Sequence, residues 1–304
     1  MLFSSVMDEP TLHGLLEQAR VFVSEGKLLH ATQIYHRITM AAPHVDSAWI
    51  ELSKAYIELK RFEVAERLLQ EALRVSKDPA EVMYLLGTLH LKTENFNAAL
   101  EHFKKLLDEE ETLARTFRAH LHFNIGLAYW GKENWTLSEL HFRKVKELNS
   151  AFPRISESIA ELLLRRGAVI EAVKVLKKGL VSEPYSWIGH YLLGIAYTRS
   201  KEWQKSLEEF TTAIEMDPRE PRAWQMCGEV LITLQQLDQA EHYLRKALEL
   251  NPTLADACAD FGFVYLRRGD FRRANEFFEE ALRIEPGNHK AQQGKRELRF
   301  EKKR

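Results

Sequence analysis

The sequence has few cysteines, no long apolar run and almost no net charge, and each of these features excludes a class of protein. Two cysteines, Cys227 and Cys258, among 304 residues cannot form the disulfide framework of a small secreted domain, which favours a reducing compartment. No run of about 18 apolar residues is present, so no transmembrane helix is expected. The 43 Lys and Arg nearly balance the 44 Asp and Glu, so no overall charge attracts the chain to nucleic acid or anionic lipid.

The first ten residues, MLFSSVMDEP, lack the basic segment and the long apolar segment of a secretory signal. Hydrophobic residues make up 45% of the chain and charged residues 29%, a composition typical of a protein with a buried core. We therefore expect a soluble, cytoplasmic protein.

Glycine and proline recur at an interval of 34 residues, or a multiple of it. The glycines of this series are Gly126, Gly194, Gly228 and Gly262, and the prolines are Pro184, Pro218, Pro252 and Pro286. A fixed period of this length indicates a repeat architecture, in which each unit packs on its neighbours.

Four positions of the repeat carry the residue types of the tetratricopeptide repeat. Position 4 holds Trp49 and Trp224; position 11 holds Tyr56, Tyr129, Tyr197 and Tyr265; position 20 holds Ala31, Ala65, Ala99, Ala172, Ala240 and Ala274; position 24 holds aromatic residues or Leu, including Tyr35, Phe103, Phe142, Phe210 and Phe278. Over residues 12–288 the chain resembles the tetratricopeptide repeat family. The resemblance implies an all-α fold: a right-handed α-solenoid of stacked helix-turn-helix repeats with a C-terminal capping helix.

The spacing explains why this pattern folds. Positions 4, 7, 8 and 11 lie on one face of a first helix, and positions 20, 24 and 27 on one face of a second helix. Small residues at positions 8 and 20 allow the two backbones to approach closely. Gly26, Gly167 and Gly269 occupy the turn between the two helices, where a left-handed residue is expected.

The predicted organisation is one array interrupted once. A lead segment (1–11) precedes repeats one to three (12–113), and an insertion (114–118) separates them from repeats four to eight (119–288). We expect a lengthened helix at the insertion. The remaining residues, 289–304, are predicted to form a basic capping helix with an apolar inner face at Ala291, Gly294 and Leu298.

The resemblance implies that the first helices line a concave groove with positions 2, 5, 6, 9, 12 and 13. The predicted groove residues are Tyr84, Thr88, Leu91, Phe123, Asn124, Leu127, Trp130, Arg154, Glu157, Glu161, Ile188, Tyr191 and Ile195. We expect them to bind an extended peptide or amphipathic helix of a partner protein, with Tyr84, Phe123 and Tyr191 as anchors. The alternative is that Phe123 and Trp130 pack inside the repeat array.

No catalytic, cofactor-binding or metal-binding residues are predicted. The chain contains no glycine-rich phosphate loop, no His-Glu-x-x-His sequence and no Gly-x-Ser-x-Gly sequence. No repeat has Lys at position 5 or Asn at position 9, so the carboxylate-clamp mode of chaperone-tail recognition is not expected. The sequence therefore predicts a non-enzymatic scaffold or adaptor.

Two alternatives remain open at this point. Seven Lys and Arg against two Glu in residues 289–304 allow a nucleic-acid-associated regulator, although a solvated cap is the simpler interpretation. A groove filled by self-association in a homo-oligomer is the second alternative. The partner, the pathway and the oligomeric state do not follow from the sequence.

Overall fold

The predicted all-α fold is confirmed. A computed structural model describes residues 9–301, which form 17 α-helices and one 3₁₀ helix without a β-strand in that range. Internal contacts divide the chain into two units, unit 1 up to Phe152 and unit 2 from Pro153 onward. Within the range described, no helix is long and apolar enough to cross a membrane.

Unit 1 contains four pairs of consecutive helices. They are α1 (Glu9–Ser24), α2 (Leu28–Ala41), α3 (Asp46–Glu58), α4 (Phe62–Val75), α5 (Ala80–Lys92), α6 (Phe96–Leu107), α7 (Arg115–Gly131) and α8 (Trp135–Leu148). A 3₁₀ helix, Glu110–Thr112, precedes α7. Each helix pair buries apolar residues against the next, so the core of unit 1 runs along the stack.

Unit 2 contains four further pairs and a final helix. They are α9 (Ile155–Arg165), α10 (Val169–Ser182), α11 (Trp187–Arg199), α12 (Trp203–Met216), α13 (Pro221–Thr233), α14 (Leu237–Leu250), α15 (Ala255–Arg267), α16 (Phe271–Ile284) and α17 (His289–Glu301). Stacked pairs of this kind are the architecture that the tetratricopeptide resemblance implies.

Helix α7 has 17 residues, whereas α5 and α11 have 13 each. Residues 115–118 of the predicted insertion form its extra first turn. The Arg115 guanidinium donates hydrogen bonds to the backbone carbonyls of Leu148 (2.7 Å) and Glu147 (3.2 Å), at the end of α8. A cation placed there satisfies helix C-terminal carbonyls and complements the helix dipole. The exact repeat boundaries, and the division of the array at the insertion, stay predictions.

In several pairs, a glycine in the first helix allows close approach to an aromatic ring in the second helix. A Cβ atom added to Gly194 in α11 would lie 2.6 Å from the Phe210 ring in α12, too close for a real contact. Gly262 in α15 and Phe278 in α16 repeat this arrangement, at 2.4 Å. The 34-residue glycine series therefore records a steric requirement of packing.

The turn inside each pair contains one left-handed residue, as expected for Gly26, Gly167 and Gly269, whose φ angles are 73°, 77° and 77°. The equivalent residues of the other five pairs are not glycine, and each has φ between 56° and 61°: Lys60, Glu94, Glu133, Lys201 and Gln235. The same backbone turn thus closes all eight pairs.

Helix α17 ends unit 2 by packing on α15 and α16. Its buried residues are the three predicted for the inner face, Ala291, Gly294 and Leu298. The last three basic residues of the predicted cap, Lys302, Lys303 and Arg304, lie outside the described residues.

Candidate partner-binding surface

A pocket of about 460 Å³ lies on the face that the first helices form in unit 2. Side chains of α9 and α11 line it, together with Arg154 before α9 and Arg222 at the start of α13. The volume falls within the range of about 300–1,000 Å³ that is typical of ligand pockets in proteins.

The structure brings together five of the six groove residues predicted in unit 2. The five that line the pocket are Arg154, Glu161, Ile188, Tyr191 and Ile195. The sixth, Glu157, is buried instead, and its carboxylate accepts a 2.6 Å hydrogen bond from the Ser186 hydroxyl. That bond links the first turn of α9 to the start of α11.

One wall of the pocket is aromatic. The Trp187 and Tyr191 ring centroids lie 6.2 Å apart, and the Tyr191 ring lies 5.7 Å from that of Phe210. Burial raises the pKa of Tyr191, against the opposing effect of the Arg222 charge. The tyrosine is therefore held as a neutral, partly buried ring.

Four arginines line the pocket, whereas Glu161 is the one acidic residue among the described residues that line it. Arg165 lies 3.4 Å from the Glu161 carboxylate, and the Arg222 Nε lies 2.8 Å from the Glu220 carboxylate, outside the pocket. The Arg199 guanidinium donates to the Leu164 backbone carbonyl. Among residues 9–301, no carboxylate lies within ion-pair distance of Arg154 or Arg199, so the pocket retains positive charge.

Arg154 holds an unfavourable backbone conformation. Its φ of 57° and ψ of 14° are left-handed, whereas the equivalent residues before α11 and α13, Ser186 and Glu220, are extended. A left-handed non-glycine residue costs roughly 1 kcal/mol. A positive charge at a helix N-terminus is also opposed by the helix dipole. Arg154 is exposed at the rim of the pocket.

Six residues that line this pocket are absent from the predicted groove set: Leu164, Arg165, Trp187, Leu192, Arg199 and Arg222. Arg199 and Arg222 occupy repeat positions 13 and 2, which belong to the free face already defined by the repeat. The repeat register therefore contains a signal for both arginines, namely a positive charge at a position on the free face.

In unit 1, three predicted groove residues form a hydrogen-bonded group between α5 and α7. The Asn124 side-chain amide donates to the Tyr84 hydroxyl at 3.0 Å and to the Thr88 hydroxyl at 3.2 Å. Burial raises the pKa of Tyr84, and these hydrogen bonds oppose that rise. The amide is thus committed to joining two first helices.

The predicted aromatic residues of α7 pack against neighbouring rings in unit 1. The Phe123 ring centroid lies 5.5 Å from that of Phe142 and 5.0 Å from that of Phe152. Trp130 is perpendicular to Trp135, with centroids 5.8 Å apart. The side chains of Phe123 and Trp130 are half-buried, as are those of Leu91 and Leu127. Much of their apolar surface is therefore used for internal packing.

A charged cluster joins α13, α15 and α17 in unit 2. Lys290 Nζ lies 2.5 Å from Glu229 Oε2 and 3.1 Å from Asp260 Oδ1, and the Gln225 amide also donates to Asp260. Burial raises the pKa of Asp260 to about 7, although the Lys290 charge opposes that rise. Despite its own burial, Lys290 has a raised pKa because Asp260 and Glu229 stabilise its charge.

Ion pairs neutralise several basic residues near the end of the chain. Lys295 lies 3.0 Å from Glu279, and Arg267 lies 3.6 Å from Glu297. Arg268 pairs with both Asp238 (2.5 Å) and Glu241 (2.6 Å). Within the basic segment 289–304, predicted as an alternative nucleic-acid site, Lys290 and Lys295 are thus paired with the chain's own carboxylates.

The comparisons with known proteins agree with this architecture. Three family models described as tetratricopeptide repeat match the chain, at residues 50–114 and 84–151, at 197–259 and at 255–288. Together these matches cover more than half of the sequence.

Curated relatives are distant and longer. Anaphase-promoting complex subunit 3 of Schizosaccharomyces pombe is 24% identical over 235 residues, which are 73% of this chain and 34% of the relative. The CTR9 homologue of Arabidopsis thaliana is 23% identical over an alignment that covers 88% of this chain and 29% of the relative. The chain therefore spans about a third of the length of these relatives.

Two solved structures share the fold at low identity. The Cut9–Hcn1 hetero-tetramer of the APC/C matches 93% of this chain and 55% of its own chain, with a TM-score of 0.64 and 15% identity. A tetratricopeptide repeat protein from Parabacteroides merdae matches 83% of this chain and 98% of its own, with a TM-score of 0.64 and 16% identity. The repeat register, the stacked helix pairs and the family models agree: the chain belongs to the tetratricopeptide repeat family.

Proposed function

We propose that this protein is a non-enzymatic scaffold that binds a peptide or helix of a partner protein on the first-helix face of unit 2. The observation that supports this proposal is the pocket between α9 and α11, which five of the predicted groove residues line. Concave surfaces that combine apolar walls with a few polar groups are typical of binding sites.

The family and the relatives support the scaffold class. Proteins built from stacked repeats use their extended surfaces for binding. One curated relative is named as a subunit of a complex, and one solved neighbour is described as a hetero-tetramer. A cytoplasmic location, predicted from the composition, belongs to the same proposal.

The predicted residues of unit 1 form a second, separate candidate surface. Tyr84, Thr88 and Asn124 bond to one another, while Phe123 and Trp130 pack on neighbouring rings. We therefore assign the primary role to the unit 2 pocket and propose only a supporting role for the residues of unit 1.

Affinity capture with matched variants tests the proposal. Ile188→Glu places a charge in the pocket, and we expect it to abolish capture of the partners that the wild-type protein retains. Val181→Glu is the control, because Val181 is also β-branched but lies on α10 and is 84% exposed. Circular dichroism must show that both variants fold.

Equal capture by the wild-type protein and a folded Ile188→Glu variant would refute the pocket as the binding site. Light scattering of the wild-type protein at several concentrations addresses the homo-oligomer alternative. If the protein associates with itself as its concentration rises, and Ile188→Glu abolishes this association, then the pocket binds a second copy of this chain.

A further inference from the structure

The pocket of unit 2 places unbalanced positive charge beside an aromatic wall. Arg154 and Arg199 have no carboxylate within ion-pair distance in the range 9–301, and Glu161 is the acidic residue that lines the pocket. A guanidinium has five N–H donors, so the bond from Arg199 to the Leu164 carbonyl leaves most of its donors available. Trp187, Tyr191 and Ile195 form an apolar wall of the same pocket.

The conformation of Arg154 is unfavourable for folding. Its backbone is left-handed and its positive charge lies at the N-terminus of α9, where the helix dipole favours a negative charge. Residues kept in unfavourable backbone conformations occur preferentially at binding and active sites. Arg154 also lines the pocket, so a residue with an unfavourable backbone conformation and an unfavourable charge position faces the site.

We propose that this pocket binds an acidic segment of a partner protein, in which a Glu or Asp carboxylate contacts the arginines and a neighbouring apolar side chain packs on Trp187 and Tyr191. Planar guanidinium groups pair with carboxylates in two-bond geometry, which a lysine cannot reproduce. The pocket volume of about 460 Å³ suits one or two side chains of an extended peptide. The inference rests on the proposed scaffold function and specifies the chemistry of its partner.

Selection from a displayed library of random 12-residue peptides tests the inference. We expect the full-length wild-type protein to enrich peptides in which two or more Asp or Glu flank an aromatic or aliphatic residue. The best of these, carrying a fluorescent label, should bind at least tenfold more weakly at 500 mM than at 50 mM NaCl, because salt screens the contact.

Arg154→Gly is the most informative variant. Glycine relieves the left-handed backbone, so we expect the melting temperature to rise by about 2 °C. The same variant should bind the selected peptide about tenfold more weakly. A residue with a purely structural role would not combine higher stability with weaker binding.

Lys60→Gly provides a matched control. Lys60 is also exposed, positively charged and left-handed, with φ of 58°, but it lies in the turn between α3 and α4. This variant should gain stability in the same way and keep the affinity of the wild-type protein. Arg199→Gln is a second pocket variant, which we expect to weaken binding at least fivefold.

Three outcomes would overturn the inference. Selected peptides without acidic enrichment, bound equally by the Arg154→Gly variant, would refute the acidic partner while leaving the scaffold function intact. Acidic peptides whose affinity is the same in wild type, Arg154→Gly and Arg199→Gln would place their site elsewhere. Failure to select any peptide would overturn both this inference and peptide binding as the function.

A nucleic acid also carries negative charge, so its binding to the pocket is compared with that of the selected acidic peptide. A labelled 20-nucleotide single-stranded DNA should bind more weakly than the selected peptide at 150 mM NaCl. Tighter binding of the DNA, lost in Arg154→Gly and Arg199→Gln, would assign the pocket to nucleic acid and overturn the acidic-peptide inference.

Discussion

Lys290 and Asp260 form an ion pair of 3.1 Å that attaches the final helix to α15. The Asp260 side chain is almost completely buried, and Lys290 also contacts Glu229 in α13. Lys290 of α17 therefore contacts both α13 and α15. Burial raises the pKa of Asp260 to about 7, so the contact with Lys290 is an ion pair only above that pH, and below it Asp260 is a neutral carboxyl.

The stability of the wild-type protein relative to Asp260→Asn should fall as the pH rises from about 4 to about 7. In this range the folded protein retains the Asp260 proton while the unfolded chain, with its ordinary pKa near 4, has lost it. The folded state is then favoured at the acidic end, with a slope of at most about 1.4 kcal/mol per pH unit.

Urea unfolding of both proteins at several pH values measures this difference. Asp256, Glu229 and Lys290 are present in both proteins, so the difference between them reports the Asp260 carboxyl together with its effect on these neighbours. If the unfolding free energy of the wild-type protein minus that of Asp260→Asn stays constant or rises over this pH range, the pKa of Asp260 is not raised in the folded protein.

Gly194→Ala should destabilise the protein by about 1–2 kcal/mol. The new methyl group would lie 2.6 Å from the buried Phe210 ring, and overpacking of a core costs roughly 1–3 kcal/mol. Gly14→Ala is the control, since a Cβ there meets nothing within 4 Å in α1. It should stabilise by up to about 1 kcal/mol through helix propensity. Similar unfolding free energies for the two variants would contradict the steric argument.

Gln235→Gly should stabilise the protein by a few tenths to about 1 kcal/mol. Gln235 is left-handed, with φ of 61°, and glycine adopts this region without the penalty of a side chain. The reverse change, Gly167→Ala, should destabilise the protein by about 1 kcal/mol, because Gly167 has φ of 77° in the equivalent turn. Thermal unfolding measures both, and the prediction fails if the two changes have the same sign.

The two cysteines should be unreactive in the folded protein. Both are buried, and burial raises the pKa of Cys227 to about 12 and that of Cys258 to about 11. The thiolate is the reactive species, and at pH 8 it would be about one part in a thousand or less. Ellman's reagent should label neither thiol before unfolding and both in guanidinium chloride. Rapid labelling of one thiol at pH 8 would disprove its burial.

Much of the fold could be predicted because packing repeats along the chain. Every pair has a small residue opposite an aromatic ring or a leucine, as at Gly194 and Phe210, so the steric requirement recurs at the repeat period and becomes visible in one sequence. The inner face of the final helix follows instead from helical spacing, because Ala291, Gly294 and Leu298 are spaced i, i+3, i+7.

The candidate site could be predicted only in part, because its contacts do not repeat. The repeat register identifies Arg154, Ile188 and Tyr191, but it does not reveal that Glu157 is buried and accepts a hydrogen bond from Ser186. The backbone of Arg154 has no sequence signature either, since arginine rarely adopts positive φ. Register identifies a face, while the chemistry of that face depends on individual neighbours.

The shared left-handed turn has a consequence for how such a chain can change in length. Since all eight helix pairs close with the same backbone geometry, a duplication or deletion of 34 codons would join segments that already fit. Recombination between equivalent points of two gene copies could therefore add or remove one whole pair at a time. The surface available for binding could grow in discrete steps, with each added pair free to acquire its own side chains.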